Sequence, residues 1–384
     1  MMFLALLACS PDAAAPETTE SGNLMDRAYV VSNGSNELFV FDYQTLEAVG
    51  SLDTTVVAGA INGNHMAMVT SDGNTVYTTA AEQNSLVIID AATLEVKKTM
   101  VIGAQATHMA FREGTAELWI VAEDDNAVVV LDTDTDTVAH TITGGTLNTP
   151  HFARFSGDYA YVPSIGGNQV SIIDLATYEV VDTLVGDGLS EGACEVDPCG
   201  YADAQIDPNG MLFASNFTTG KVIVYDTLTG ERRPDVAVGA QTWSAFIDPF
   251  TADDSFAFVP SWLTATVSRV GADGSAEIWA AGDSEVYGVN FSAQAPDEAF
   301  VLNRTKNQVN VLDRQSGEVL DTLDVGGTTE TATTTTDGRL LVPISSTGEV
   351  AVINTATHEE LARFSGVGTH PWSVTTVEGQ NYCH

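Results

Sequence analysis

From Ala28 onward the chain repeats one short pattern: an apolar stretch, a polar turn, then an alternating stretch that ends in Asp, with Thr or Ser three residues later. Alternation with a period of two places successive side chains on opposite faces of a strand, and no stretch carries a convincing helical period. The alternating stretches close at Val40-Phe41-Asp42, Ile88-Ile89-Asp90, Val130-Leu131-Asp132, Ile172-Ile173-Asp174, Val224-Tyr225-Asp226, Val311-Leu312-Asp313 and Val352-Ile353-Asn354. A sixth copy departs from the pattern, with Val270 at that place. The hydroxyls follow in step at Thr45, Thr93, Thr135, Thr177, Thr229, Ser316 and Thr357.

An Asp at the end of a strand accepts hydrogen bonds from backbone N–H groups two and three residues on, and so closes a tight turn. These aspartates are therefore turn formers rather than acids or bases for chemistry. Successive copies lie 41 to 52 residues apart, the size of a four-stranded propeller blade. Eight copies predict an all-β, eight-bladed β-propeller of four-stranded antiparallel blades. The first copy lacks an innermost strand and the chain ends with a spare one, Pro371 to Val377. That strand is expected to complete the first blade and close the ring, which removes a free sheet edge. Both ends of the propeller then leave on one face, the bottom, and the connections that enter the innermost strands form the top.

The strand ahead of each Asp reads Tyr29-Val30-Val31-Ser32, Tyr161-Val162-Pro163-Ser164 or Phe300-Val301-Leu302-Asn303, separated from the next by turns such as Asn33-Gly34, Gly166-Gly167 and Thr347-Gly348. On these residues the chain resembles the YVTN-repeat (YncE-like) propellers, a resemblance that covers nearly everything from Ala28 to Gly379. It implies the fold and is almost silent about function.

Composition narrows the partners. The chain has 52 acidic and 14 basic residues, a formal charge of -38, and no basic cluster, so a phosphate backbone meets repulsion and nucleic acid is excluded as a partner. Residues 1–9 resemble a bacterial lipoprotein signal ending in a lipobox, Leu6-Leu7-Ala8-Cys9, with Cys9 as the lipidated residue. Residues 10–27 are poor in apolar side chains and suit a disordered tether. Residues 28–384 form one propeller domain. The membrane is then met only through a lipid anchor, and the place is the cell envelope, as an outer-membrane or periplasmic lipoprotein. Oxidation is permitted there, and Cys194 and Cys199 in a Gly- and acid-rich insertion are expected to pair as a disulfide.

Four of the seven histidines fall where the chain enters an innermost strand: His65-Met66-Ala67, His108-Met109-Ala110, His151-Phe152-Ala153 and Thr369-His370-Pro371. Innermost strands line the channel, so these imidazoles are expected to converge at its solvent-facing mouth as ligands of a transition metal, copper first. Repeated histidines that merely bond to a neighbouring blade are the structural alternative. The matching positions elsewhere carry Ala202 or Asp203, Trp243, Tyr287 and Glu330, and Trp243, Tyr287 and Trp372 are candidates for stacking on a ring or sugar. His140, His358 and His384 are expected to be solvated bystanders. No G-x-S-x-G elbow, phosphate loop or H-E-x-x-H occurs, so no catalytic residue is assigned. The functional expectation is an exported, lipid-anchored binding scaffold for a protein, glycan or metal ion. A copper or d1-haem-like redox protein and a lactonase-like hydrolase are the two alternatives.

Overall fold

The computed structural model describes residues 22–58, 63–194, 198–250, 255–282 and 285–382. Cys9, most of the tether, Cys383 and His384 lie outside the described residues. The chain forms eight four-stranded antiparallel sheets arranged as the blades of a β-propeller. In chain order from blade 2 to blade 8 the innermost strands are Asn64–Val69, Ala106–Arg112, Arg154–Ser156, Tyr201–Ile206, Phe246–Ile247, Val286–Ser292 and Thr333–Thr334. Blade 1 takes its innermost strand from the far end of the chain, Pro371–Thr376.

That exchange closes the ring: Pro371–Thr376 pairs antiparallel with Arg27–Ser32, with Ala28 opposite Thr376 and Val30 opposite Val374. A second closure lies beyond the strand. The chain after Thr376 crosses the lower end of the innermost strands. The Gln380 side chain accepts from the Phe291 N–H at 2.9 Å and donates to the Ile247 carbonyl at 2.9 Å, while its backbone N–H donates to the Thr334 carbonyl at 2.8 Å. The Tyr382 ring sits edge-on against Phe246, 4.6 Å between centroids. Four contact points on blades 6, 7 and 8 thus anchor a segment that starts in blade 1, and the lower mouth of the channel is floored by it. A cavity of about 270 Å³ there is lined by Arg154, Gln205, Phe250, Gln380 and Tyr382 among others.

The core is not one body but a ring of clusters between neighbouring blades. Tyr29 and Val31 pack toward blade 2, and Ala28 and Val30, one residue out of phase, pack toward blade 8. The two-residue period of the strand therefore serves two interfaces at once. The turn chemistry is the one the sequence predicts. The Asp42 carboxylate accepts from the N–H groups of Gln44 and Thr45 at 2.9 and 2.8 Å, and Asp90, Asp132, Asp174, Asp226, Asp313 and Asn354 do the same. Hydrogen bonds from Thr93, Thr177, Thr229 and Ser316 hold Asp90, Asp174, Asp226 and Asp313 below the ordinary aspartate range. In blade 6 the strand register pairs Phe256 with Gly271, as Arg27 pairs with Asp42. The residue in place of the aspartate is thus Gly271, not Val270, and the turn is closed two residues later by Asp273, which accepts from Ser275.

Candidate metal centre at the top of the channel

The histidines are aimed by backbone irregularities. In blade 2 the pairing register slips between Asn64 and Ala67, and in blade 3 between Ala106 and Met109. His65 and His108 lie in these bulges, released from the ladder at the upper end of their strands. A bulge bends its strand and re-aims a side chain; here it turns an imidazole to the channel mouth. The same slip occurs at Ala202 in blade 5 and Tyr287 in blade 7, so the irregularity belongs to the blade and only the side chain it presents changes.

Three imidazoles meet. The Nε2 atoms of His65 and His108 are 3.1 Å apart with their rings near perpendicular, and the His108 and His151 rings lie 4.1 Å centroid to centroid. His108 and His151 are buried, at 1% and 7% exposure. His151 Nδ1 donates to the Ala202 carbonyl of blade 5 at 2.5 Å, because a carbonyl only accepts. That bond fixes the tautomer and leaves Nε2 as the basic nitrogen. It faces Glu123, 3.9 Å from Oε1. The same oxygen lies 3.8 Å from His108 Nδ1 and accepts the hydroxyl of Thr107. Burial holds the Glu123 carboxyl above the usual range, while His151 and Thr107 pull it down.

Glu123 is the member that the alignment of histidines does not reveal. It stands one residue beyond the second strand of blade 3, Glu117–Ala122. The residues that open the same turn, to the third strand, in the other blades are Asn33, Ala81, Ile165, Phe217, Trp262, Arg304 and Ser345. A comparison of the second strands, rather than the first, singles it out as the one carboxylate in its column.

Side-chain donors of His108, Glu123 and His151 lie within 4.8 Å of one another. Around an ion with bonds of about 2.0–2.1 Å, tetrahedral ligand atoms sit about 3.3 Å apart. The His65–His108 separation through the two Nε2 atoms already meets that spacing, and the His151 Nε2–Glu123 contact at 3.9 Å needs to contract by well under an ångström. Three imidazoles, one of them braced by a carbonyl, and a partly buried carboxylate fit a divalent d-block ion.

His370 stands apart from this cluster. It is held at a positive φ of 56°, its side chain is 43% exposed, and its Nε2 lies 3.7 Å from Glu330. Its ring stacks on Trp372 at 5.6 Å, and Trp372 in turn lies 6.1 Å from His65. Burial, with the nearby Arg304 charge, lowers the His370 pKa. Glu330 is wholly buried and takes hydrogen bonds from Arg304 at 2.8 Å and Ser345 at 2.6 Å; burial raises its carboxyl to about 7.

The three aromatic candidates fall in separate pairings rather than one patch. Trp372 belongs to the histidine side, Trp243 packs on Phe217 at 4.6 Å, and Tyr287, 5% exposed, meets Trp262 edge-on at 5.6 Å with the Arg304 guanidinium over both rings. Cys194 and Cys199 are joined as a disulfide with Cα atoms 5.9 Å apart, and a cleft of about 370 Å³ beside it is lined by Leu189, Ala193 and Thr218 among others. Two of the supposed bystanders have partners. His140 stacks on Tyr178 at 3.7 Å. His358 bridges Asp321 and Glu298 of blade 7 from its turn in blade 8, at 2.9 and 2.8 Å.

Comparison with solved structures supports the architecture. Dihydro-heme d1 dehydrogenase NirN in complex with DHE superposes with a TM-score of 0.72 at 14% identity over 95% of this chain and 78% of that one. Apo AztD from Citrobacter koseri gives 0.66 at 11% identity over 93% and 98%, and Kuenenia stuttgartiensis hydrazine synthase 0.58 at 18% identity over 79% and 99%. At such identities the likeness is one of fold. No curated protein sequence matches the chain, and no described helix is long and apolar enough to cross a membrane. The sequence does match one family model over residues 12–238, more than half its length, and the chain belongs to that family, DUF5074, a domain of unknown function.

Proposed function

We propose that the chain is a YVTN-type binding propeller that holds a divalent transition-metal ion at the top of its channel, with His65, His108 and His151 as imidazole ligands and Glu123 as the carboxylate. The observation that carries this reading is the meeting of three imidazoles beside a partly buried carboxylate, Glu123, whose side-chain partners are Thr107, His108 and His151, with no lysine or arginine contact among the described residues. A carboxylate largely withdrawn from water is costly unless a positive charge compensates it, and an ion at the imidazoles supplies that charge. Copper(II) is the first expectation, since imidazole suits copper, zinc, nickel and iron and copper(II) binds tightest in that order. A neighbour of the same fold, the dihydro-heme d1 dehydrogenase in complex with DHE, is consistent with a propeller of this kind holding a cofactor. The flooring of the lower mouth directs exchange of the ion to the upper one. Lipidation at Cys9 and an envelope location are part of the proposal, with the tether at the bottom face leaving the histidine mouth toward solvent.

The test is elemental analysis of protein purified without a metal-affinity tag and then equilibrated with copper(II) or zinc(II). Wild type retains close to one equivalent after desalting, and the His65→Ala, His108→Ala, His151→Ala triple variant retains none while its β-sheet circular dichroism is unchanged. A folded wild type that retains no ion, or a triple variant that retains as much, overturns the proposal.

A further inference from the structure

We infer that Thr107 is the positioning residue of this centre, setting which ring nitrogen His108 turns toward the ion. The inference rests on the metal reading for its consequence but not for its geometry. Thr107 shares the blade 3 bulge with His108 and is 2% exposed. Its backbone is pinned from the neighbouring blade, where the Thr79 hydroxyl donates to the Thr107 carbonyl at 2.7 Å. Its own hydroxyl contacts two members of the centre at once, Glu123 Oε1 and, at 3.2 Å, His108 Nδ1.

A hydroxyl has one proton to give. An ionised carboxylate can only accept, so the Thr107 proton goes to Glu123 and the oxygen faces His108 with a lone pair. Nδ1 of His108 is then the nitrogen that carries hydrogen, and Nε2 is left basic. Nε2 is the atom that lies 3.1 Å from His65 Nε2. Thr107 does for His108 what the Ala202 carbonyl does for His151, with one difference: it also ties the orientation of the imidazole to that of the carboxylate. In the repeat alignment the residues preceding His65 and His151 are Asn64 and Pro150, and the Thr369 that precedes His370 is exposed, so the device is not a general feature of the blades.

The experiment uses the whole chain labelled with ¹⁵N-histidine, in wild-type, Thr107→Val and Thr107→Ser forms, read by long-range ¹H–¹⁵N correlation without metal and by copper(II) titration with a competing chelator. Wild type shows His108 as the Nδ1–H tautomer. Thr107→Val, which keeps the shape of the side chain, shifts His108 toward the Nε2–H form and weakens copper(II) about 10- to 100-fold, as loss of an outer partner of a metal-bound imidazole does; Thr107→Ser restores both. A Thr107→Val protein with wild-type tautomer and affinity overturns the inference while leaving the metal centre standing. A tautomer that moves with no change in affinity overturns the positioning role. A wild type that shows the Thr107-dependent tautomer but binds no copper(II) or zinc(II) overturns the metal reading instead, and the tautomer assignment survives it.

Discussion

Blades 2 to 4 and blades 6 to 8 use the same backbone to build opposite halves of one mouth. On one side the bulges present His65 and His108, with His151 beside them; on the other the matching bulge presents Tyr287, packed on Trp262 under Arg304. The carboxylates differ in the same way. Glu330 takes a guanidinium and a hydroxyl on its Oε1 atom, whereas Glu123 faces imidazoles. A repeat scaffold thus supplies identical positions around a ring, and chemistry arises where the copies stop matching. The aromatic half reads as packing closed by its own ion pair, and the imidazole half as a place for a cation.

Blade 1 joins the two halves, so its disruption has the largest expected effect. Deleting residues 369–384 removes both the closing strand and the floor across the lower mouth, and exposes a long unpaired edge on Arg27–Ser32. The net stability of a folded domain is only about 5–15 kcal/mol, and thermal melts should show no cooperative transition for the deletion, in either half.

Next comes a change confined to the aromatic half. Phe258, fully buried between blades 6 and 7, leaves a large cavity when replaced by Ala and costs about 3–5 kcal/mol in denaturant titrations. Metal content should be untouched, because no residue of the centre belongs to that interface. Conversely, Glu123→Gln keeps the shape of the side chain and removes its charge; copper(II) affinity should fall at least about tenfold, with little change in melting temperature. If Phe258→Ala releases the ion, or Glu123→Gln leaves affinity intact, the two halves are not chemically distinct in the manner described.

Much of this was legible in the linear pattern, because a propeller writes its period into the chain. The Asx turns follow from one Asp and one hydroxyl at fixed spacing, and His65, His108 and His151 fall together because the repeat brings equal positions side by side. Glu123 escaped because it lies in a different strand of the blade from the histidines, and it reaches the site only through the bulge that turns Thr107 and His108 toward it. His370 was grouped with the others by its place in the repeat, yet its left-handed backbone and the buried Glu330 give it a different neighbour. Gly271 was misplaced by one residue because blade 6 closes its turn with Asp273 instead. His358 looked solvated because its two carboxylates come from blade 7, more than thirty residues away in sequence.

The smallest expected effect concerns that staple. Burial alone would lower the His358 pKa, but the hydrogen bonds its ring donates to Glu298 and Asp321 outweigh it and hold the value above the usual histidine range. A group bound more tightly to its proton when folded adds stability that is complete below its unfolded pKa and is lost as pH rises through the folded one. Wild type should therefore lose a small increment, under about 1 kcal/mol for so exposed a pair, between mildly acidic and alkaline pH, and His358→Gln should lose that pH dependence. A variant with the same pH profile as wild type would remove the staple from the account.

The most direct test of the central claim is anomalous diffraction from crystals of the full propeller grown with copper(II), recorded at the copper edge. The account predicts one strong peak enclosed by the Nε2 atoms of His65, His108 and His151 and a Glu123 oxygen, with nothing at Arg304 and Glu330. A peak on the opposite half of the mouth, or none among these four residues in a well-ordered crystal, contradicts it.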